Sequence, residues 1–168
     1  AYLTALLEEF DIPVGQKLIN MSYGQKKKVI IAFGLATNAK LIIMDEPTNG
    51  LDIPSKAQFR KIMASALTED KCIIISTHQV RDLDNLIDTV IMVDENSIAL
   101  KASVEEITNK LCFKRLKELD ETVIYAEPSL SGYNAVVANY HNEDSKLDIE
   151  LLFNAVLAEK SKLKPIFN

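Results

Sequence analysis

The chain has 168 residues, 48% of them hydrophobic and 26% charged, with a net charge of −5; that is enough for a packed core and is the balance of a globular protein. The acidic excess argues against a broad nucleic-acid footprint, which needs clustered Lys and Arg, and no apolar run approaches the ~20 residues that span a bilayer. No charged-then-apolar start reads as a secretory signal, and Cys72 and Cys112, without a CxxC or a neighbouring His, read as reduced core residues, so the chain is expected in the cytoplasm.

"YLTALLEEF" at the start has helical character, and "DIPVGQKLI" reads as a loop because it carries Pro13 and Gly15. From Ser22 to about residue 38 the spacing predicts a helix, with Val29, Ala32, Phe33 and Ala36 recurring as one apolar face. Residues 41–44, four apolar side chains after a helix, have the texture of a central, fully buried parallel strand. A helix follows Pro54 through Phe59, Ile62, Met63 and Ala66, and "CIIIS" is the next buried strand. A short helix over 80–86 leads to the strand "TVIMV"; "ENS" turns into "IALKA", and a helix follows over 103–111. Strands alternating with helices imply an α/β protein with a parallel sheet.

After about residue 111 the texture changes. "CFKRLK", "ETVIYAE" and "YNAVVANY" read as strands, with "PSLSG" as a hairpin-like link. The final helix places Ile149, Leu152, Phe153, Val156 and Leu157 on one face, with Asp148 as N-cap. A boundary is expected near Lys110, giving a first domain over 1–110 and a small α+β extension over 111–168. Ala1 has no Met before it and begins inside an apolar pattern, which leads to the expectation of a piece of a longer protein.

The stretch "LIIMDEPTNGLD" sets Asp45 and Glu46 directly after the first strand. Ligands of open α/β sheets bind beyond the carboxyl ends of the strands. There one carboxylate can hold a hydrated Mg²⁺ and its neighbour can polarise a water. On their own, the acids fit better a turn capped by Asp45 with Glu46 solvated. "SYGQ" is a capping box, Ser22 with Gln25, and a helix N-terminus with a close backbone approach at Gly24 also suits a phosphate. His78 follows the second strand and would share the carboxyl edge with the two acids. Asn49-Gly50 is an ordinary tight-turn signal, Lys26, Lys27 and Lys28 read as a solvated first turn, and His141 carries no role.

Together, over about 18–111, these motifs resemble the C-terminal part of the ATP-binding-cassette (ABC) ATPase domain, a P-loop NTPase fold whose parallel sheet is flanked by helices. "MSYGQ" is similar to the signature LSGGQ, "LIIMDE" to the Walker B strand with its catalytic Glu, "NGLD" to the D-loop, and "STHQV" carries the switch His. The resemblance implies that Asp45 holds Mg²⁺, Glu46 polarises the hydrolytic water and His78 senses the γ-phosphate of ATP. It implies that Ser22 and Gly24 touch the γ-phosphate held by the opposite subunit of a head-to-tail dimer. Gln25 and Asp52 complete its nucleotide-site residues, with Asp52 coupling the two sites. The implied protein is the ATPase subunit of an ABC transporter, peripheral on the inner face of the membrane against permease subunits, with no nucleic acid expected. The alternatives are a soluble ABC ATPase acting on DNA or the ribosome, and a non-catalytic interaction module. The chain departs from the family at Tyr23, which stands where the signature has its first glycine. No phosphate loop of the form G-x-x-x-x-G-K-S/T occurs, so this stretch by itself is expected to be inactive.

Overall fold

The computed structural model describes residues 2–83 and 86–167. It is a mixed α/β structure that divides into two compact units, 1–86 and 87–168. The expected boundary near Lys110 falls inside the second unit.

The first unit holds α1 (Tyr2–Glu9), α2 (Tyr23–Ala36), β1 (Leu41–Asp45), α3 (Ile53–Ala66) and β2 (Cys72–Ser76). α2 and α3 each start where a side chain satisfies an otherwise unpaired amide. Ser22 accepts from the Gln25 amide and Gln25 reaches back to the Ser22 amide, closing the capping box; Asp52 accepts from Ser55 and Pro54 occupies the first turn of α3. Phe59, Ile62, Met63 and Ala66 of α3 are all buried, as the spacing predicts. The buried stripe of α2 is Ile31, Ala32 and Leu35, rotated from the expected face, and Phe33 is 62% exposed.

β1 and β2 pair in parallel, with Leu41 opposite Cys72 and Asp45 opposite Ser76. The expectation of two fully buried strands fails. Ile42 and Met44 face the core, while Leu41, Ile43 and Ile74 are exposed on the opposite face. An apolar strand is buried on both faces only when both are covered, and here one is. Cys72 is on the open face too, so it is exposed rather than a core residue, whereas Cys112 is buried. After β2 a single 3-10 turn, Val80–Leu83, stands where a helix over 80–86 is expected; residues 84 and 85 of that helix lie outside the described residues.

The second unit holds β3 (Thr89–Asp94), β4 (Ser97–Ser103), α4 (Val104–Lys110), β5 (Leu111–Leu116), β6 (Val123–Ser129), β7 (Gly132–Ala138), α5 (Ile149–Ala158) and α6 (Lys160–Phe167). β3 pairs antiparallel with β4. β7 lies between β5 and β6 in an antiparallel sheet. Asp148 caps α5 as expected, but the buried face is Ile149, Leu151, Leu152, Ala155 and Val156; Phe153 and Leu157 are each 39% exposed.

Candidate functional site

The parallel register of β1 and β2 builds this site. With Asp45 beside Ser76, the residues that leave the two strands emerge side by side. Ser76 Oγ donates to Asp45 Oδ1, and the Glu46 amide donates to the Ser76 carbonyl at 2.9 Å. Glu46 then turns into the left-handed region, φ +44°. That turn points its carboxylate across to the residues following β2. Thr77 Oγ1 donates to Oε2 at 2.9 Å. The His78 amide donates to Oε1 at 2.9 Å, and His78 Nδ1 lies 2.6 Å from the same oxygen.

Burial pushes the Glu46 carboxyl upward. The hydrogen bonds from His78 and Thr77 and the charge of His78 outweigh it, holding the group below its ordinary value of 4.5. An ionised carboxylate only accepts hydrogen bonds, so Nδ1 of His78 carries the hydrogen between them. The carboxylate offers about four acceptor positions and these donors occupy three, which leaves one for a water. The His78 side chain is 71% exposed and that of Glu46 27%. Thr77 Oγ1 also accepts from the Gln79 amide. Gln79 in turn receives Lys56 Nζ of α3, which also pairs with Asp82 at 2.8 Å. The loop after β2 is thus tied to α3.

The loop after Glu46 is held from the opposite side. Lys27 Nζ, from the second turn of α2, donates to the Glu46 carbonyl and, at 3.1 Å, to the Asn49 carbonyl. Lys28 Nζ donates to the Phe10 carbonyl and to Gln58 Oε1. The expectation of a solvated lysine turn is therefore corrected: Lys27 and Lys28 are half-buried, and only Lys26 is exposed. A row of lysines reads as solvated, yet a helix turn carries its side chains to different sides, and two of these point inward. Gly50 adopts φ +78°, and a Cβ there would lie 2.7 Å from Cε1 of Tyr23.

Glu46 and His78 are in direct contact, with Asp45 adjacent. Ser22, Gly24 and Gln25 form the start of α2, where Gly24 faces the Gly50 carbonyl. Among the described residues, no hydrogen bond joins Ser22 or Gln25 to Glu46 or His78. Asp52 is the N-cap of α3, and the hydrogen bonds from Ser55 hold its carboxyl low. Ser76 and Thr77, signalled in the sequence only by the "ST" before His78, and Lys27, expected to be solvated, also contribute to the arrangement.

Among the described residues no three His, Cys, Asp or Glu side chains cluster to cage a metal. Mg²⁺ does not require a cage; it keeps several waters and takes one or two carboxylates with substrate phosphates. Asp45 with the Ser76 hydroxyl is a donor set of that kind. Ser22 Oγ accepts from the Gln25 amide at 3.2 Å and keeps its O–H free to donate, so the cap is compatible with a phosphate contact. Among the described residues no helix is long and apolar enough to cross a membrane.

Residues 3–49 match the family model described as "ABC transporter". The chain is 37% identical over 93 residues to the ribose import ATP-binding protein RbsA of Roseobacter denitrificans; the match spans 55% of this chain and 18% of that one. It is 37% identical over 107 residues to the energy-coupling factor transporter ATP-binding protein EcfA2 of Staphylococcus aureus, spanning 63% of this chain and 36% of the relative. The matches thus cover well under half the length of these curated relatives. Among solved structures, the chain is similar to MJ1267, an ATP-binding cassette of an ABC transporter, at 25% identity and a TM-score of 0.48, over 61% of this chain and 41% of that one.

Proposed function

We propose that this chain, which carries part of the ATPase domain of the ABC transporter family, belongs to a subunit that binds and hydrolyses ATP to drive transport. The observation that carries the reading is the Glu46 carboxylate, fixed by Thr77 and His78 with one acceptor position free, directly after the acid that ends β1.

In this reading Glu46 is the general base. Its free lone pair accepts a hydrogen bond from the attacking water and draws off the proton as the oxygen bonds to the γ-phosphorus and the bond from phosphorus to the bridging oxygen of the leaving ADP breaks. His78 holds Oε1 through Nδ1 and would turn Nε2 towards the γ-phosphate. Asp45, oriented by Ser76, would hold Mg²⁺, which supplies charge neutralisation of the phosphates when bound. Ser22, Gly24 and Gln25 at the start of α2 would offer the Ser22 hydroxyl and the first helical amides to the γ-phosphate held by a second ATPase subunit, in a head-to-tail dimer. Asp52, the N-cap of α3, would relay between the two sites. The names of the relatives, both ATP-binding proteins of transport systems, support transmembrane permease partners and a place on the inner face of the membrane. Residues 1–110 would be the ATPase portion and 111–168 an accessory extension. The phosphate loop is absent from these residues, so the 168-residue stretch by itself is expected neither to bind ATP tightly nor to hydrolyse it.

The test is Glu46→Gln in the full-length protein containing this chain. ATP binding should persist while turnover falls by about 10² to 10⁴, the contribution of a positioned general base. Unchanged turnover would overturn the assignment.

A further inference from the structure

We propose that Lys27 is a positioning residue for Glu46, bracing the turn that carries it, and that the ring of Tyr23 seats the lysine. The proposal deepens the reading of Glu46 as the general base and rests on it for its functional meaning.

The turn after β1 has an unusual demand. Glu46 is a long, non-glycine residue held at φ +44°, a conformation L-residues avoid because Cβ crowds the backbone. Its carbonyl must therefore be held where this φ places it. Two donors meet it there: the Asn49 amide at 3.2 Å and the ammonium of Lys27. The same ammonium donates to the Asn49 carbonyl at 3.1 Å, so one charge bridges the first and fourth residues of the turn. Release of that carbonyl would let φ relax, and rotation at Glu46 would carry the carboxylate away from Thr77 and His78.

Tyr23 completes the brace. Its ring centroid is 5.8 Å from Lys27 Nζ, within the range of a cation–π contact. The ring edge lies against the backbone of Gly50, where a Cβ would meet Cε1 at 2.7 Å. A glycine at 23, as in the motif this stretch resembles, could make neither contact. The aromatic side chain thus gives the start of α2 a direct hold on the turn after the catalytic strand, one turn of helix before the lysine that reaches into it.

The test is amide hydrogen exchange in the full chain, comparing wild type with Lys27→Met, Lys27→Arg and Tyr23→Gly. The His78 amide donates to the Glu46 carboxylate and the Asn49 amide to the Glu46 carbonyl, so both report the turn. In Lys27→Met these two should exchange at least about 10-fold faster, the effect of losing the hydrogen bonds of a charged donor, while Ala32 and Leu35 in the body of α2 keep their rates. Lys27→Arg should restore protection, and Tyr23→Gly should give a smaller change at the same two amides. In the full-length protein, Lys27→Met should lower kcat with KM for ATP unchanged. Unaltered His78 and Asn49 exchange, or uniform acceleration across α2 and both strands, would overturn the proposal. If Glu46→Gln leaves turnover intact, the base assignment falls, and the two amides still decide whether Lys27 braces the turn.

Discussion

Ser22 serves two purposes, and substitutions can pull them apart. Its hydroxyl accepts from the Gln25 amide at 3.2 Å, and Gln25 Oε1 accepts from the Ser22 amide at 2.9 Å. Ser22→Ala removes the first bond and leaves an orphan amide in the first turn of α2. Such a loss costs about 1 kcal/mol. α2 itself should survive, because Ile31, Ala32 and Leu35 are buried and packing holds most protein helices together. The expected result is a first unit, residues 1–86, that melts about 4–8 °C lower for each kcal/mol lost. Ser22→Gly should cost only a few tenths of a kcal/mol, since glycine is a tolerable N-cap. It still deletes the O–H proposed to meet the γ-phosphate. Thermal unfolding by circular dichroism ranks the stabilities, and ATP-driven dimer formation in the full-length protein reads the phosphate contact. An alanine variant that melts with wild type would refute the capping contribution. A glycine variant that dimerises normally with ATP would refute the phosphate role of the hydroxyl.

Three further outcomes are expected. Phe59 is fully buried, so Phe59→Ala should lower unfolding free energy by about 3–5 kcal/mol in urea titration; a loss below about 1 kcal/mol would mean that the site collapses around the gap. Under native conditions a thiol reagent should label Cys72, which is exposed, and spare Cys112, with mass spectrometry of the labelled peptides deciding. The Glu46 carboxyl is held below its ordinary 4.5 in the folded chain, so the stability it contributes is fully present above that value and fades as pH falls through the lower folded value. The urea midpoints of wild type and Glu46→Gln should therefore converge in acid; a constant separation would show that the carboxyl is not held low.

Much of the fold is legible because it is local. Caps at Ser22 and Asp148 follow from short polar side chains placed before apolar periodicity, and both accept from the amide three residues on. What depends on distant partners is less legible. "CIIIS" and "LIIM" have the same texture whether one face or both are covered, so the exposure of Leu41, Ile43 and Ile74 could not be read from them. The antiparallel pairing of β3 with β4 is visible only as a turn signal at "ENS". α6 was not expected at all: it follows α5 after a one-residue break and carries Pro165 inside, and proline ordinarily argues against a helix interior.

At the candidate site, the sequence pointed to the acids and the histidine but not to what holds them. Backbone conformation carries that information. Among the described residues five non-glycine residues have positive φ: Asp11, Asn38, Glu46, Glu95 and Asn142. Asp and Asn visit this region readily, because a short polar side chain can hydrogen-bond nearby. Glu95 does so at the exposed turn between β3 and β4. Glu46 is different, since it is half-buried and its carboxylate is engaged by Thr77 and His78. A conformation of this kind costs about 1–3 kcal/mol and persists only where its surroundings over-determine it. Here they do: its amide, carbonyl and carboxylate are all engaged, through Ser76, Asn49, Lys27, Thr77 and His78. Each neutral bond contributes roughly 1 kcal/mol and each bond to a charged group about 1.5–3, enough to offset the strain. Glycine would fill the turn without strain but has no carboxylate to offer. That glutamate occupies it, with its side chain aimed at His78, supports the proposal that Glu46 carries chemistry rather than being a solvated acid.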